Sequence, residues 1–382
     1  MAQTAVILGG GPAGIFTAHK LLKYTTPKVK GLKVILVSPS THFYWNPASV
    51  RGIIPGEIPD DKLFTHIASG FSQFPKTQFE FIVGAARSVD IASNTLQLQL
   101  EDGSSRSLVY DHLVIATGSS PLADQIPLKT LGSYKETVNQ LHNIQTSIDA
   151  VATKSIVVAG AGPTGTEIAA ELGHRYGKNK GKSITLIADG PRVLGGLSES
   201  VSRVSESTLA GLGVHIIHHA RAIEARDGHV YLSTGKVIPA DVYLPVFGVR
   251  PNTSFLPDHL LDKHKSLKLE PSLRVEGLHN VWGAGDVGNL DVKQIGPVEG
   301  QVNVLAQNLD AVLSGGSTST MKEYTRGNKV MMFVSLGKAA GTGQAGSWKV
   351  PGFIVTMMKS KTLFQDKPKA IVAGKSMIMG SI

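Results

Sequence analysis

Short apolar runs recur along the chain, and two of them lead into the same glycine spacing. Residues 5–8 read as a strand, Gly9-x-Gly11-x-x-Gly14 as a turn, and the period from about residue 15 to 22 as a helix. Residues 32–37 give a second, parallel strand. The pattern then returns. Ser155–Ala159 reads as a strand, Gly160-Ala161-Gly162-Pro163-Thr164-Gly165 as the turn, and Thr166 begins a helix that carries Glu167 and Glu171. Ser183–Ile187 follows as its second strand.

Around this repeat the pattern predicts strands at 79–83 and, by alternation, at Thr95–Leu100. A run over 110–118 ends in Ala116-Thr117-Gly118. Helices are expected over 134–152, after residue 205, and over 299–313, with strands at Val214–Ile217, 230–232 and 242–247. Residues 248–252 echo the Ala-Thr-Gly crossing and return the chain to the first half. A further strand ends in Gly283-Ala284-Gly285-Asp286. The tail, 329–382, reads as a short sheet and a terminal amphipathic element.

A strand, a glycine turn and a helix N-terminus make a pyrophosphate site. The first glycine allows the tight turn, the second lets phosphate approach the backbone, and the third lets helix and strand pack closely. The helix start adds unpaired N–H groups and partial positive charge. One such spacing is weak evidence. Two complete copies in one chain point to two dinucleotides, or to one and a decayed copy.

Composition narrows the chemistry. The 382 residues suit two or three domains, and the 42 glycines cluster at the turns. The net charge of +9 comes from scattered lysines without a nucleic-acid reading motif, so nucleic acid is not expected as a partner. With no cysteine, there is no disulfide scaffold, redox dithiol, thiolate zinc site or cysteine nucleophile, and no metal site is expected. The first strand begins close to Met1, which leaves no room for a cleavable signal, and Ala2 is not the glycine that myristoylation requires. No apolar run is long enough to span a membrane. The expected location is cytoplasmic, or peripheral at a membrane surface, because the tail sets apolar residues beside lysines; a capping domain with a solvated lysine face is the alternative.

Candidate contacts follow from position. The second strand usually ends in an acid for the ribose hydroxyls; here that place holds Ser38, a weaker partner. The segment THFYWNPASVRG suggests a loop and helix start beside the nucleotide, with Arg51 as its lone cation; packing aromatics and a surface arginine are the other reading. In the second copy, Asp189 favours the 2′-hydroxyl of NADH, and Arg192 could meet the 2′-phosphate of NADPH. The reading leans to NADH.

Taken in order, GGGPAG, NPASVR, LVIATG, GAGPTGTE, GAGD and SLGKAAGTGQ…MMKSKTLF resemble AIF-like, AMID-type flavoprotein reductases, the group that includes ferroptosis suppressor proteins, and more distantly type II NADH dehydrogenases. The resemblance implies an α/β fold with two Rossmann-like domains and a small C-terminal α+β domain. FAD would occupy residues 1–120 with 245–325, NAD(P)H residues 121–244, and the C-terminal domain residues 326–382. It implies FAD at Gly9, Gly10, Gly11, Pro12, Ala13 and Gly14, with Arg51 beside the flavin and Val83 at the adenine. Ala116, Thr117 and Gly118 would line FAD at the crossing, and Gly285 and Asp286 would meet the ribityl chain. Gly160, Gly162, Thr164 and Gly165 would hold NAD(P)H. Glu167 would approach the junction of nicotinamide and flavin, with Lys293 in a flavin-side loop. Lys359 and Phe364 are the candidates for the acceptor pocket, against ordinary surface and core roles. Hydride would pass from NAD(P)H to FAD, and electrons to a quinone or another small acceptor. The alternatives are a redox tailoring enzyme for a quinone-like natural product, and a signalling flavoprotein with slow turnover.

Overall fold

The computed structural model describes residues 2–123, 126–130, 132–178, 180–316, 321–328 and 330–377. The opening strand, Gln3–Leu8, lies in the middle of five parallel strands, with His112–Ile115 and Val281–Gly283 on one side and Leu32–Ser38 and Phe79–Asp90 on the other. Its residues Ala5, Val6, Ile7 and Leu8 are buried, as a central parallel strand covered on both faces requires. Phe79–Asp90 is long enough to serve twice. Its second half pairs antiparallel with Thr95–Leu100, which pairs with Ser105–Val109.

The second glycine turn belongs to a separate parallel sheet, ordered Val214–Ile217, Ser183–Ile187, Ser155–Ala159, Val242–Pro245. An antiparallel ribbon, Ala222–Arg226, His229–Leu232 and Val237–Pro239, accompanies it. Val230, Leu232 and Ile238 of that ribbon pack with Val157, Ala159 and Ile187 as a small core of their own. Two short strands, Ser119–Pro121 and Val249–Pro251, pair antiparallel where the chain leaves the first sheet and returns to it. The C-terminal part is a three-stranded antiparallel sheet, Met331–Ser335, Gly341–Ala345 and Trp348–Val350, followed by helical turns at Gly352–Val355 and Thr356–Ser360 and a last helix, Lys367–Val372. The tail beyond residue 377 lies outside the described residues.

The α/β class with two dinucleotide-type units is as expected, and the element ends differ for local reasons. The first helix starts at Pro12, not residue 15, because proline suits the first helical position; it runs to Lys20 and continues as a wider π-type turn over Leu21–Thr25. The helix expected at 134–152 is Tyr134–Asp149, started by a reciprocal cap between Ser133 and Glu136 and stopped where Ala150 turns extended. The helix expected at 299–313 is Ile295–Leu313, since Pro297 is tolerated in a first turn. The helix after 205 is Glu199–Gly211. The strand Ala222–Arg226 escaped the pattern because four of its five residues are exposed and carry no apolar alternation.

Candidate functional site

The strands of the first sheet end together. Gly9 N–H donates to Val37 O at 2.8 Å, Ala116 N–H to Leu8 O at 2.8 Å, and Ala284 N–H to Ile115 O at 3.1 Å. Gly9, Ala116-Thr117-Gly118 and Gly285-Asp286 therefore stand side by side at the carboxyl edge of adjacent strands, where open α/β sheets take their ligands. Gly9 has φ +122°, and a Cβ there would sit 2.2 Å from Ala116 O. A Cβ on Gly14 would lie 1.9 Å from Gly9 O. Around Gly11 a Cβ would meet nothing within 4 Å, and no side chain caps the helix that starts at Pro12 and Ala13. The result is a cradle of donating N–H groups with room for a diphosphate. Gly10 is closed by Ser38, whose Oγ would be 2.6 Å from an added Cβ. That hydroxyl also accepts from Ser40 N–H at 3.2 Å, and Ser38 pairs in register with Val83 at the end of the neighbouring strand.

The second turn repeats this geometry. Gly160 has φ +111° and donates to Ile187 O at 3.0 Å; a Cβ on Gly165 would lie 1.8 Å from Gly160 O, and Gly162 is open. Pro163 and Thr164 begin an uncapped helix, Pro163–Tyr176. Asp189 follows the strand Ser183–Ile187 and is exposed. Arg192 is turned into its own loop, donating to Gly195 O at 3.3 Å and Leu197 O at 3.1 Å, while Leu194 N–H docks on Ala161 O at 2.8 Å.

Between the halves, Thr117 Oγ1 donates to Asn252 O at 2.7 Å and Asn252 Nδ2 donates back to Thr117 O at 2.9 Å. Gly285 N–H donates to Gln301 Oε1 at 2.7 Å, which ties the Gly-Asp turn to the long helix. Asp286 Oδ2 accepts from Ser119 Oγ at 2.8 Å and from Lys129 Nζ, and Lys129 also reaches Ser119 Oγ at 2.6 Å. Lys293 Nζ donates to Asp286 O at 2.6 Å and to Ser266 Oγ at 3.1 Å. Burial lowers the pKa of Lys293, with the Asp286 charge opposing.

A second cluster joins three parts of the chain. Arg51, fully buried, donates through Nε and Nη2 to Glu171 Oε1 at 3.0 and 2.7 Å, and to the carbonyls of Ser360 and Lys361 at 2.7 and 3.2 Å. This overturns the reading of Arg51 as a surface arginine. One turn earlier, Glu167 Oε1 accepts from Lys359 Nζ at 2.6 Å and from Ser335 N–H at 2.7 Å, and Lys359 also donates to Phe333 O at 2.8 Å. Burial lifts the Glu171 carboxyl above the usual range, against the pull of Arg51. Leu363 and Phe364 both have positive φ, +49° and +56°, and Trp45 Nε1 donates to Leu363 O at 2.8 Å, so Phe364 follows a pinned, strained turn and is half-buried.

Sequence reasoning brought Glu167 and Lys359 forward separately; the structure pairs them. It missed Lys129 and Gln301, which sit in no motif, named Asn252 only as the end of the 248–252 echo, and gave Glu171 no role. Its only signal was spacing: four residues after Glu167 puts both carboxylates on one helix face.

The sequence profile of the pyridine nucleotide-disulphide oxidoreductase family matches residues 3–305. The chain is 38% identical over 372 residues to "Oxidoreductase ptaL" of Pestalotiopsis fici, covering 96% of this chain and 98% of that protein. It is 26% identical to ferroptosis suppressor protein 1 of Taeniopygia guttata, over 95% of this chain and 94% of that one. The sulfide:quinone oxidoreductase of Aquifex aeolicus superposes with a TM-score of 0.77 at 19% identity, over 97% of this chain and 92% of that one.

Proposed function

The chain belongs to the pyridine nucleotide-disulphide oxidoreductase family, and on that premise we propose that it oxidises NADH and delivers the electrons to a quinone-like acceptor. The family makes it a flavin-dependent NAD(P)H oxidoreductase; the acceptor and the preference for NADH are the proposal. FAD, when bound, supplies the two-electron chemistry that links a hydride donor to the acceptor. The open first cradle fits its diphosphate. Gly9, Gly10, Gly11 and Gly14 with the N–H groups of the helix start would hold it, Thr117 and Gly118 would line it, and Asp286 has a second carboxylate oxygen to accept from a ribityl hydroxyl. The second cradle, at Gly160, Gly162, Thr164 and Gly165, would hold the nicotinamide nucleotide. Asp189 stands exposed one residue past the usual acid position, Ala188, and Arg192 is occupied by its own loop, which favours a free 2′-hydroxyl over a 2′-phosphate.

The observation that carries the acceptor is the absence of cysteine from a chain with two such cradles. Electrons cannot leave through a dithiol of this chain, which favours a small acceptor such as a quinone. Reduction of a quinone also needs protons. Lys359 Nζ, half-buried and hydrogen-bonded to Glu167 Oε1 and Phe333 O, is our candidate to deliver one, and half-buried Phe364 our candidate for the apolar side of the acceptor site. The sulfide:quinone oxidoreductase of Aquifex aeolicus, which shares the fold, also has a quinone as acceptor.

The test is anaerobic titration of the purified holoprotein with NADH and with NADPH, followed in the flavin band, and then steady-state turnover with a panel of quinones. Bleaching by NADH ahead of NADPH and turnover with simple quinones are expected. Turnover confined to one bulky quinone would move the reading to redox tailoring. Bleaching without any quinone turnover would overturn it.

A further inference from the structure

The loop after the strand Ser183–Ile187, residues 188–197, is fixed from several sides. Val193 and Leu194, at its bend, are buried. Leu194 has a φ of +53°, a conformation that a leucine keeps only where its surroundings compel it. Gly190 O accepts from His219 N–H at 3.1 Å, and Leu194 N–H rests on Ala161 O of the second glycine turn. Just past the loop, Ser198 N–H donates to Gln344 Oε1 at 2.7 Å, and Gln344 Nε2 donates to Gly346 O at 2.7 Å, so the C-terminal sheet braces it as well.

One further tie is made by a charged side chain that has no part in either cradle. Val193 N–H donates to Glu206 Oε1 at 3.0 Å. Glu206 lies on the helix Glu199–Gly211, is half-buried, and has His218 Nε2 at 3.9 Å from the same oxygen. The peptide that ends in the Val193 amide begins at Arg192, the only cation between residues 188 and 197. Pinning that amide therefore fixes the backbone from which Arg192 projects. In this setting Arg192 Nη2 is bonded to Gly195 O and Leu197 O, and Asp189 is left as the exposed charge of the loop.

We propose that Glu206 is a positioning residue for the choice of nucleotide. By holding the Val193 amide it locks the loop in the form that turns Arg192 onto its own carbonyls. A guanidinium so occupied does not offer its planar fork to a 2′-phosphate. Affinity for the phosphorylated nucleotide then scales with the fraction of molecules whose loop is unlocked. The lock rests on the reading of the second cradle as an NADH site.

Binding of NAD+ and NADP+ to the oxidised full-length holoprotein is measured by calorimetry, which needs no electron acceptor. The wild type should favour NAD+. E206A removes both the acceptor and the charge; E206D keeps the charge on a side chain too short to reach the amide. Each should tighten NADP+ about tenfold, the worth of one hydrogen bond to a charged group, with NAD+ changing little. E206Q keeps an acceptor for Val193 N–H without the charge and should retain the wild-type ratio. Adding R192A to E206D should cancel the gain, since the gain passes through that guanidinium. An equal gain in E206Q would reduce the effect to lost repulsion and overturn the lock. A gain that survives R192A, or no gain in E206D with a thermal melt like that of the wild type, would also overturn it. Wild-type preference for NADP+ would sink the NADH reading and the lock together, whereas preference for NAD+ with unmoved variants would sink the lock alone.

Discussion

At the scale of single residues, the site is governed by a few positions where an added atom or a lost charge has nowhere to go. Gly14→Ala places a Cβ 1.9 Å from Gly9 O, so the first turn must open; the purified variant should come off the column without flavin colour, while far-UV circular dichroism stays near wild type. Lys129 is the counter-ion of Asp286, and its loss leaves that carboxylate with Ser119 alone. K129M should weaken FAD binding by about tenfold, measured by fluorescence on reconstituting the stripped protein, with K129R recovering part of it. Arg51→Met strands Glu171 without its cation in a dry site, at a cost of about 3–5 kcal/mol. Pairing it with Glu171→Met should return most of that loss in a urea melt; a double variant as unstable as the single one would refute the ion pair as the cause.

At the scale of elements, the last helix, Lys367–Val372, is held to the first helix by one imidazole. His19 stacks on Phe71 at 4.1 Å between ring centres, and its Nε2–H donates to Val372 O at 2.8 Å. Burial pulls its pKa down from 6.5 to about 4. The folded protein thus keeps His19 neutral while the unfolded chain takes up a proton, so this contribution is full above pH 6.5 and is lost as pH falls toward about 4. Protection factors for hydrogen exchange at 367–372, corrected for the intrinsic pH dependence, should fall over that window, and His19→Gln should flatten the response. Such a contact could not be read from the sequence, because His19 and Val372 are 353 positions apart and neither lies in a motif. The two glycine turns were legible because their chemistry is local: positive φ at Gly9 and Gly160, and a close approach at Gly14 and Gly165, act within one strand–turn–helix unit. The Arg51–Glu171 pair lies between these cases. Both residues were visible, but their partnership depends on how the second helix crosses toward the first half.

At the scale of the whole molecule, the first cradle draws its walls from remote stretches: Gln3–Leu8, His112–Ile115 and Val281–Gly283. A ligand there braces all of them at once. Adding FAD to the stripped protein at about a hundred times its Kd should raise stability by about 2.7 kcal/mol and move the main calorimetric transition as one peak; a shifted shoulder on an unmoved peak would argue against it. The C-terminal part is sewn onto both halves, through Lys338 to Glu57, Lys359 to Glu167, Ser360 and Lys361 to Arg51, and Leu363 to Trp45. During synthesis the nascent chain emerges from its amino end. The opening strand and its glycine turn thus leave the ribosome before the stretches that complete them, and must wait for residues near 281, 301 and 360 before their edge strand, their glutamine tie and the carbonyl partners of Arg51 exist. That order predicts that a half-made chain captures no flavin, and that a stalled or clipped product carries its first turn exposed and colourless.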